Sequence, residues 1–251
     1  MGWIFKLFLI FSLSFSAYSN DNLYLGYNSK KFVPDIKDTR AKIEYFKDRL
    51  KDSTQDEKES AFSQYMSCLE GNYYVVYALV ELGVDINTKG HDGNSVIHCP
   101  ASIGRLDVVK FLAKNGAKLD EKGFKNATPL FWASSLNSNL ETVKYLLKNG
   151  ANPNSKIFND QTPLFQASLY GADKIVELLL KNGAKADIKD KNGNTPLHVI
   201  AKSGDCKFDY SKVTKLLKKV GVDINAKNNK GFTPLDLATK RGCEKILEAL
   251  K

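Results

Sequence analysis

Apolar residues recur along most of the chain in short bursts. Val108, Val109, Phe111 and Leu112 form one burst, and Ile175, Val176, Leu178 and Leu179 form another. Positions three and four apart share a helical face, so each burst predicts a short amphipathic helix. Each closes at a Lys-Asn-Gly, where glycine permits a left-handed C-terminal residue. A shorter apolar run precedes such bursts and in four cases opens on Thr-Pro. Thr128, Thr162, Thr195 and Thr233 are predicted N-caps, and the proline that follows has no N–H to lose and a φ suited to the first helical turn. These first helices are expected to stop near Gly104, Gly171, Gly204 or Gly242. Polar stretches such as "DIKDKNGNT" read as the turn to the next threonine.

The pattern is periodic. Thr-Pro-Leu stands at 128, 162, 195 and 233, and Ser95-Val96-Ile97-His98 holds the same slot in degenerate form, so successive spacings are 33, 34, 33 and 38. Gly116-Ala117, Gly150-Ala151 and Gly183-Ala184 keep step, with Gly83-Val84 and Gly221-Val222 in the equivalent places. The two departures come from extra residues in "SSLNSNLE" and around "GDCKFDYSK", between the two helices of a unit, where loops absorb insertions. One unit cannot bury its apolar face alone, so adjacent units must do it for each other.

Concordant segments such as "NGNTPLHVIAKSG", "NDQTPLFQASLYGADKIVELLLKNGAKAD" and "GRLDVVKFLAKNGAKLD" resemble the ankyrin-repeat family over about residues 57–251, or six repeats. The resemblance implies an all-α solenoid of stacked helix-turn-helix units with β-hairpin-like turns. Repeat one, "AFSQYMSCLEGNYYVVYALVELGVDIN", lacks Thr-Pro-Leu-His, as a terminal repeat facing water is expected to. Residues 20–56 precede the array. Ile43, Phe46 and Leu50 share one side of a predicted helix there, which reads as a cap on repeat one, with a partner-binding helix as the alternative. Lys245, Glu248 and Lys251 make the last helix polar on its outer side.

The first nineteen residues are a different object. Lys6, the apolar stretch Leu7 to Phe15, and Ala17-Tyr18-Ser19 follow the pattern of a secretory signal peptide cut after Ser19. The run is short for a membrane span. The mature chain is therefore expected in the periplasm or secreted, without a membrane anchor, in a compartment that permits disulfides.

The formal charge is +9, but only Arg40, Arg49, Arg105 and Arg241 are arginines, and the lysines are scattered beside acids and asparagines. That does not resemble the clustered basic face of a nucleic-acid binder, and no nucleic-acid ligand is expected. The histidines are His91, His98 and His198. His98 and His198 fill the last slot of Thr-Pro-Leu-His, where the resemblance implies a structural hydrogen bond across the turn; Phe131, Phe165 and Asp236 hold that slot elsewhere. No His-x-x-x-His, Cys-x-x-Cys, glycine-rich phosphate loop or Gly-x-Ser-x-Gly is present, so neither catalysis, a metal nor a cofactor is expected.

Cys206 and Cys243 both fall at inter-helix turns of adjacent repeats. Equivalent points of stacked helices lie roughly 10 Å apart, and the insertion beside Cys206 can shorten that gap, which suggests a disulfide. Cys68 and Cys99 lie on first helices of adjacent repeats in slots that differ by two residues; a disulfide and two buried thiols both fit.

The resemblance further implies that the array binds proteins, through the tips of its turns and the exposed side of its first helices. Carried over by position, the contact slots include an apolar centre of Ile103, Phe124, Leu136, Phe158, Leu169 and Tyr170. Beside it stand Lys125, Lys191, Lys202, Lys230, Lys240 and Arg241. An apolar, aromatic centre with a charged border suits a protein partner with an apolar knob and an acidic flank. Phe124 and Phe158 packed on neighbouring turns, merely supporting the array, is the alternative. The expected role is a monomeric, non-catalytic module, either an inhibitory, immunity or protective scaffold in the periplasm or a virulence factor that binds host proteins. An enzyme with its site in the concave groove is the rival class.

Overall fold

The computed structural model describes residues 39–58, 73–90, 92–203, 206 and 208–250. The leader read at residues 1–19, and also Cys68 and His91, lie outside these. In chain order the helices are α1 (Thr39–Leu50), α2 (Tyr73–Glu81), α3 (His98–Ser102), α4 (Leu106–Lys114), α5 (Pro129–Ala133) and α6 (Leu140–Lys148). They continue as α7 (Pro163–Leu169), α8 (Asp173–Lys181), α9 (Pro196–Ser203), α10 (Ser211–Lys219), α11 (Pro234–Arg241) and α12 (Glu244–Leu250). Among the described residues the only strand-like pairing is an isolated antiparallel bridge, Lys89 to Ser95. The all-α solenoid implied by the resemblance is the architecture observed.

From α3 onward the helices form two layers. The first helices α3, α5, α7, α9 and α11 touch in succession, and so do the second helices α4, α6, α8, α10 and α12. Leu130, Leu164 and Leu197 of the first layer and Val109, Leu112, Val143, Leu146, Ile175, Val176, Leu179, Val213 and Leu217 of the second meet in one continuous core. Phe111 and Leu178, at the edge of their helical stripes, are only half-buried. The second helices close as their Lys-Asn-Gly predicts. Asn115, Asn149 and Asn182 each donate a side-chain N–H to the carbonyl four residues back, at 2.8 Å. Ala117, Ala151 and Ala184 donate backbone N–H groups to Leu112, Leu146 and Leu179, the six-to-one bond of a Schellman motif.

The Thr-Pro starts behave less uniformly. Thr128 accepts from Phe131 N–H at 3.3 Å, and Thr233 forms a reciprocal capping box with Asp236. The hydroxyl of Thr195 instead pairs with His198 Nδ1 at 2.8 Å. Thr162 makes no side-chain cap, because its own carbonyl takes the Phe165 N–H at 3.0 Å.

At the N-terminal end, α1 lays Ile43, Phe46 and Leu50, all buried, against α2. Lys47 and Arg40 pair with Glu81 at 3.0 and 2.9 Å, so the contact has a charged rim. At the other end the polar last helix caps the stack only in part. Lys245 and Glu248 are exposed, as a polar outer side requires. Leu235, however, is 43% exposed, whereas Leu130, Leu164 and Leu197 in the same slot are fully covered by the following unit.

Both insertions act as stitches. The extra residues before α6 form a 3-10 turn, Asn137–Asn139. Buried Asn139 donates to Ser102 O at 2.8 Å in the unit before, and to Ala133 O at 3.2 Å. Asn137 donates to Asp173 Oδ1 at 2.8 Å and accepts from Lys174 N–H at 3.2 Å in the unit after. The fit forces glycine at position 104. Its φ is +76°, and a Cβ there would collide with Asn139 Oδ1. In the second insertion, buried Tyr210 donates its hydroxyl to Leu169 O at 3.0 Å, while Cys206 stands at disulfide distance from Cys243 with Cα atoms 5.7 Å apart. Cys99 is not a free thiol either; Cys68, its candidate partner, lies outside the described residues.

Candidate protein-binding surface

Between the second helix of one unit and the first helix of the next, the chain makes a tight polar finger. Five are described, at 90 and 92–94, 123–127, 157–161, 190–194 and 228–232. Each closes on itself by two backbone bonds, for example Asp190 N to Asn194 O at 2.9 Å and Gly193 N to Asp190 O at 2.8 Å. Neighbouring fingers are also joined. Phe158 N donates to Lys125 O at 2.9 Å, Lys191 N to Asn159 O at 3.0 Å, and Asn229 N to Asn192 O at 3.0 Å. The first two fingers are linked by Asn94, whose Oδ1 accepts from Phe124 N at 2.9 Å. The fingertips thus form a fixed row rather than independent loops. Buried Asp190 stiffens the fourth finger by accepting from the backbone of Asn192 and Asn194 and the side chains of Asn194 and Gln161.

The histidines belong to this scaffold. His98 Nδ1 accepts from Ser95 N–H at 3.1 Å, and its Nε2 lies 3.1 Å from Ala127 O in the next finger. His198 repeats the arrangement with Thr195 at 3.2 Å and Phe232 O at 3.0 Å. An imidazole that accepts at Nδ1 and donates at Nε2 is neutral. Burial pushes both below the ordinary histidine value, against the bonds to backbone carbonyls. The unfolded chain takes up these protons from about pH 6.5 downward. Stability is therefore full above that value and falls as pH drops through it, by at most about 1.4 kcal/mol per pH unit for each ring. Thermal melts between about pH 7.5 and about pH 5.5 should show this loss, and His98→Phe/His198→Phe should reduce it, since Phe131 and Phe165 fill the same slot. An unchanged pH dependence in that variant would assign the loss to other groups.

The residues chosen from the sequence fall into two rows on one side. At the fingertips stand Phe124, half-buried, and Lys125, Phe158, Lys191 and Lys230, exposed. At the C-terminal ends of the first helices stand Ile103, Leu136, Lys202, Lys240 and Arg241, exposed, with Leu169 and Tyr170 half-buried. First helices of five to eight residues separate the rows by roughly 7–12 Å. Phe158 and Leu136 are each about half exposed, at 50% and 51%. Phe208 and Leu235, both apolar and exposed, were missed. Phe208, in the second insertion, is as exposed as Phe158, with its ring 6.5 Å from Tyr210. Phe232, in a contact slot of the sixth unit, is exposed as expected, whereas Leu235 lies outside the slots. No periodic signal marks Phe208, because an insertion has no counterpart in other units.

A family profile for ankyrin repeats (three copies) matches residues 64–157, 125–190 and 164–251. Alpha-latrocrustotoxin-Lt1a of Latrodectus tredecimguttatus is 34% identical over 67 residues, which are 26% of this chain and 5% of the toxin. Human palmitoyltransferase ZDHHC13 is 43% identical over 56 residues, 22% of this chain and 9% of the enzyme. The chain thus spans less than a tenth of these relatives, and the likeness concerns a short stretch of each. Ankyrin-repeat domains generally mediate protein binding and are typically non-catalytic. Since the family matches run through the five finger-bearing units and across most of its length, the chain belongs to the ankyrin-repeat family.

Proposed function

We propose that the protein is an exported, non-catalytic module that binds another protein on the side formed by its fingertips and first helices. The observation that carries this reading is the two-row wall, where exposed Ile103, Leu136 and Phe158 are bordered by exposed Lys191, Lys202, Lys230, Lys240 and Arg241. Apolar centres with charged borders are typical of specific protein interfaces. The partner has an apolar knob and an acidic flank, and its binding weakens as salt rises. The Cys206–Cys243 pair supports export, because such bonds persist in oxidising compartments. The leader-like first nineteen residues point the same way. A periplasmic inhibitory, immunity or protective role fits a monomeric module of this kind.

Expression of the full chain with a C-terminal tag tests both halves. The expected product lies outside the cytoplasm, begins after Ser19, and co-purifies with one protein in fixed stoichiometry. A cytoplasmic product that retains Met1 removes export, and the absence of any stoichiometric protein removes the binding module.

A further inference from the structure

One fingertip residue has an unusual backbone. At the second position before the threonine slot, Gly93, Gly193 and Gly231 adopt positive φ, and Asn126 and Asp160 do so in the second and third fingers. Asparagine and aspartate tolerate that region. The second finger adds Lys125, with φ 55° and ψ 29°, a left-handed lysine beside a left-handed asparagine. Such a conformation is unfavourable for a long side chain and persists only where its surroundings hold it. Here the surroundings are visible. Lys125 O accepts from Phe158 N–H at 2.9 Å, and its ammonium lies 5.1 Å from the Phe124 ring centre and 5.4 Å from that of Phe158. Lys191 reaches the same Phe158 ring from the next finger, at 5.9 Å. The theme recurs at the end of the stack, where Lys240 lies 5.8 Å from Phe232.

We infer that Phe124, Lys125, Phe158 and Lys191 form a pre-organised ladder of alternating rings and ammonium groups that receives an acidic segment of a protein partner, with Lys125 as its organising residue. The inference rests on the protein-binding reading above and deepens it. Each ring attracts an ammonium by cation–π interaction and so restricts where it sits. Among the described residues neither Lys125 nor Lys191 has a carboxylate within ion-pair distance, whereas Lys144 and Lys181 on the second helices pair with Glu141 and Glu177. The positive groups of the ladder are thus left for an external anion. A carboxylate suits the site better than a nucleic acid. Base stacking needs open ring faces, and Phe158 is approached by ammonium groups from two fingers. An anionic membrane suits it less, because the apolar residues lie in two separated rows that each also carry lysines, rather than in one insertable face.

The probe is a labelled random copolymer of glutamate and tyrosine, titrated into the intact chain at physiological salt, with oligothymidylate and phosphatidylglycerol vesicles alongside. The copolymer should bind more tightly than either. Lys125→Asn keeps a residue that accepts the left-handed backbone, so the melting temperature should hold. Combined with Lys191→Gln it should lower copolymer affinity about tenfold. Lys144→Gln/Lys181→Gln, which removes the same charge from the second helices, should leave affinity within about twofold. Equal losses in the two double variants would mean attraction by net charge alone and overturn the ladder. So would thymidylate or vesicles that bind as tightly as the copolymer. If the co-purifying protein of the preceding section is captured equally well by Lys125→Asn/Lys191→Gln, the ladder fails while the binding module stands. If none is captured by the parent chain, the module itself fails.

Discussion

Breaking the Cys206–Cys243 bond should release α11 and α12 well before the rest of the stack unfolds. The bond closes a 37-residue loop, worth about 4 kcal/mol in the chain-entropy estimate. That is large for the units it joins. α11 buries only Pro234 and Ala238, and α12 only Ile246 and Leu250, while Leu235 is exposed. Elsewhere each unit is held from two sides; here one side is water. In a stack held by nearest-neighbour contacts, the loss is local rather than shared along the array. Cys206 is exposed, so Cys206→Ala removes the bond and leaves buried Cys243 in place as packing. Hydrogen exchange of this variant should show α11 and α12 losing protection by about two orders of magnitude or more, with α5 to α8 unchanged. Equal protection in the variant and the parent would show that packing alone holds the last helix pair.

Replacing Phe124 and Phe158 together by alanine should lower affinity for the co-purifying protein by about 2 kcal/mol or more, roughly thirtyfold. Buried aromatics at the centre of an interface are its usual anchors. The effect on the fold should be small. Phe158 is half exposed, and neither ring belongs to the continuous core. The fingers are held by backbone bonds and by Asn94, none of which needs the rings. Calorimetric titration beside a thermal melt separates the two effects. Affinity within about threefold of the parent would make the rings supports of the array. A large fall in melting temperature with unchanged affinity would say the same.

Much of this could be read from residue order because the punctuation is chemical. Thr-Pro starts a helix, Asn-Gly ends one, and a recurring spacing of 33 or 34 places each unit against the next. The same logic located Cys206 opposite Cys243 across adjacent turns. What escaped it lies where the period breaks or where a side chain chooses among partners. Asn137, Asn139 and Tyr210 sit in insertions, and nothing in their spacing says that they reach into neighbouring units. Thr128 and Thr162 are followed by the same Pro-Leu-Phe, yet one hydroxyl caps its helix and the other does not, a choice made by a single backbone bond. Lys125 is placed in a contact slot by its position, but nothing in the sequence marks its left-handed backbone. That backbone is held by the Phe158 N–H that donates to its carbonyl, a contact that exists only once the fingers stack.

The most direct test of a binding wall built by stacked repeats is a hydrogen-exchange footprint of the full chain with and without its co-purifying protein. Slowed exchange should fall on the fingers at 123–127, 157–161 and 190–194 and on the C-terminal ends of α5 and α7. Slowing confined to the second helices α4, α6, α8 and α10 would place the partner on the opposite layer and contradict the account.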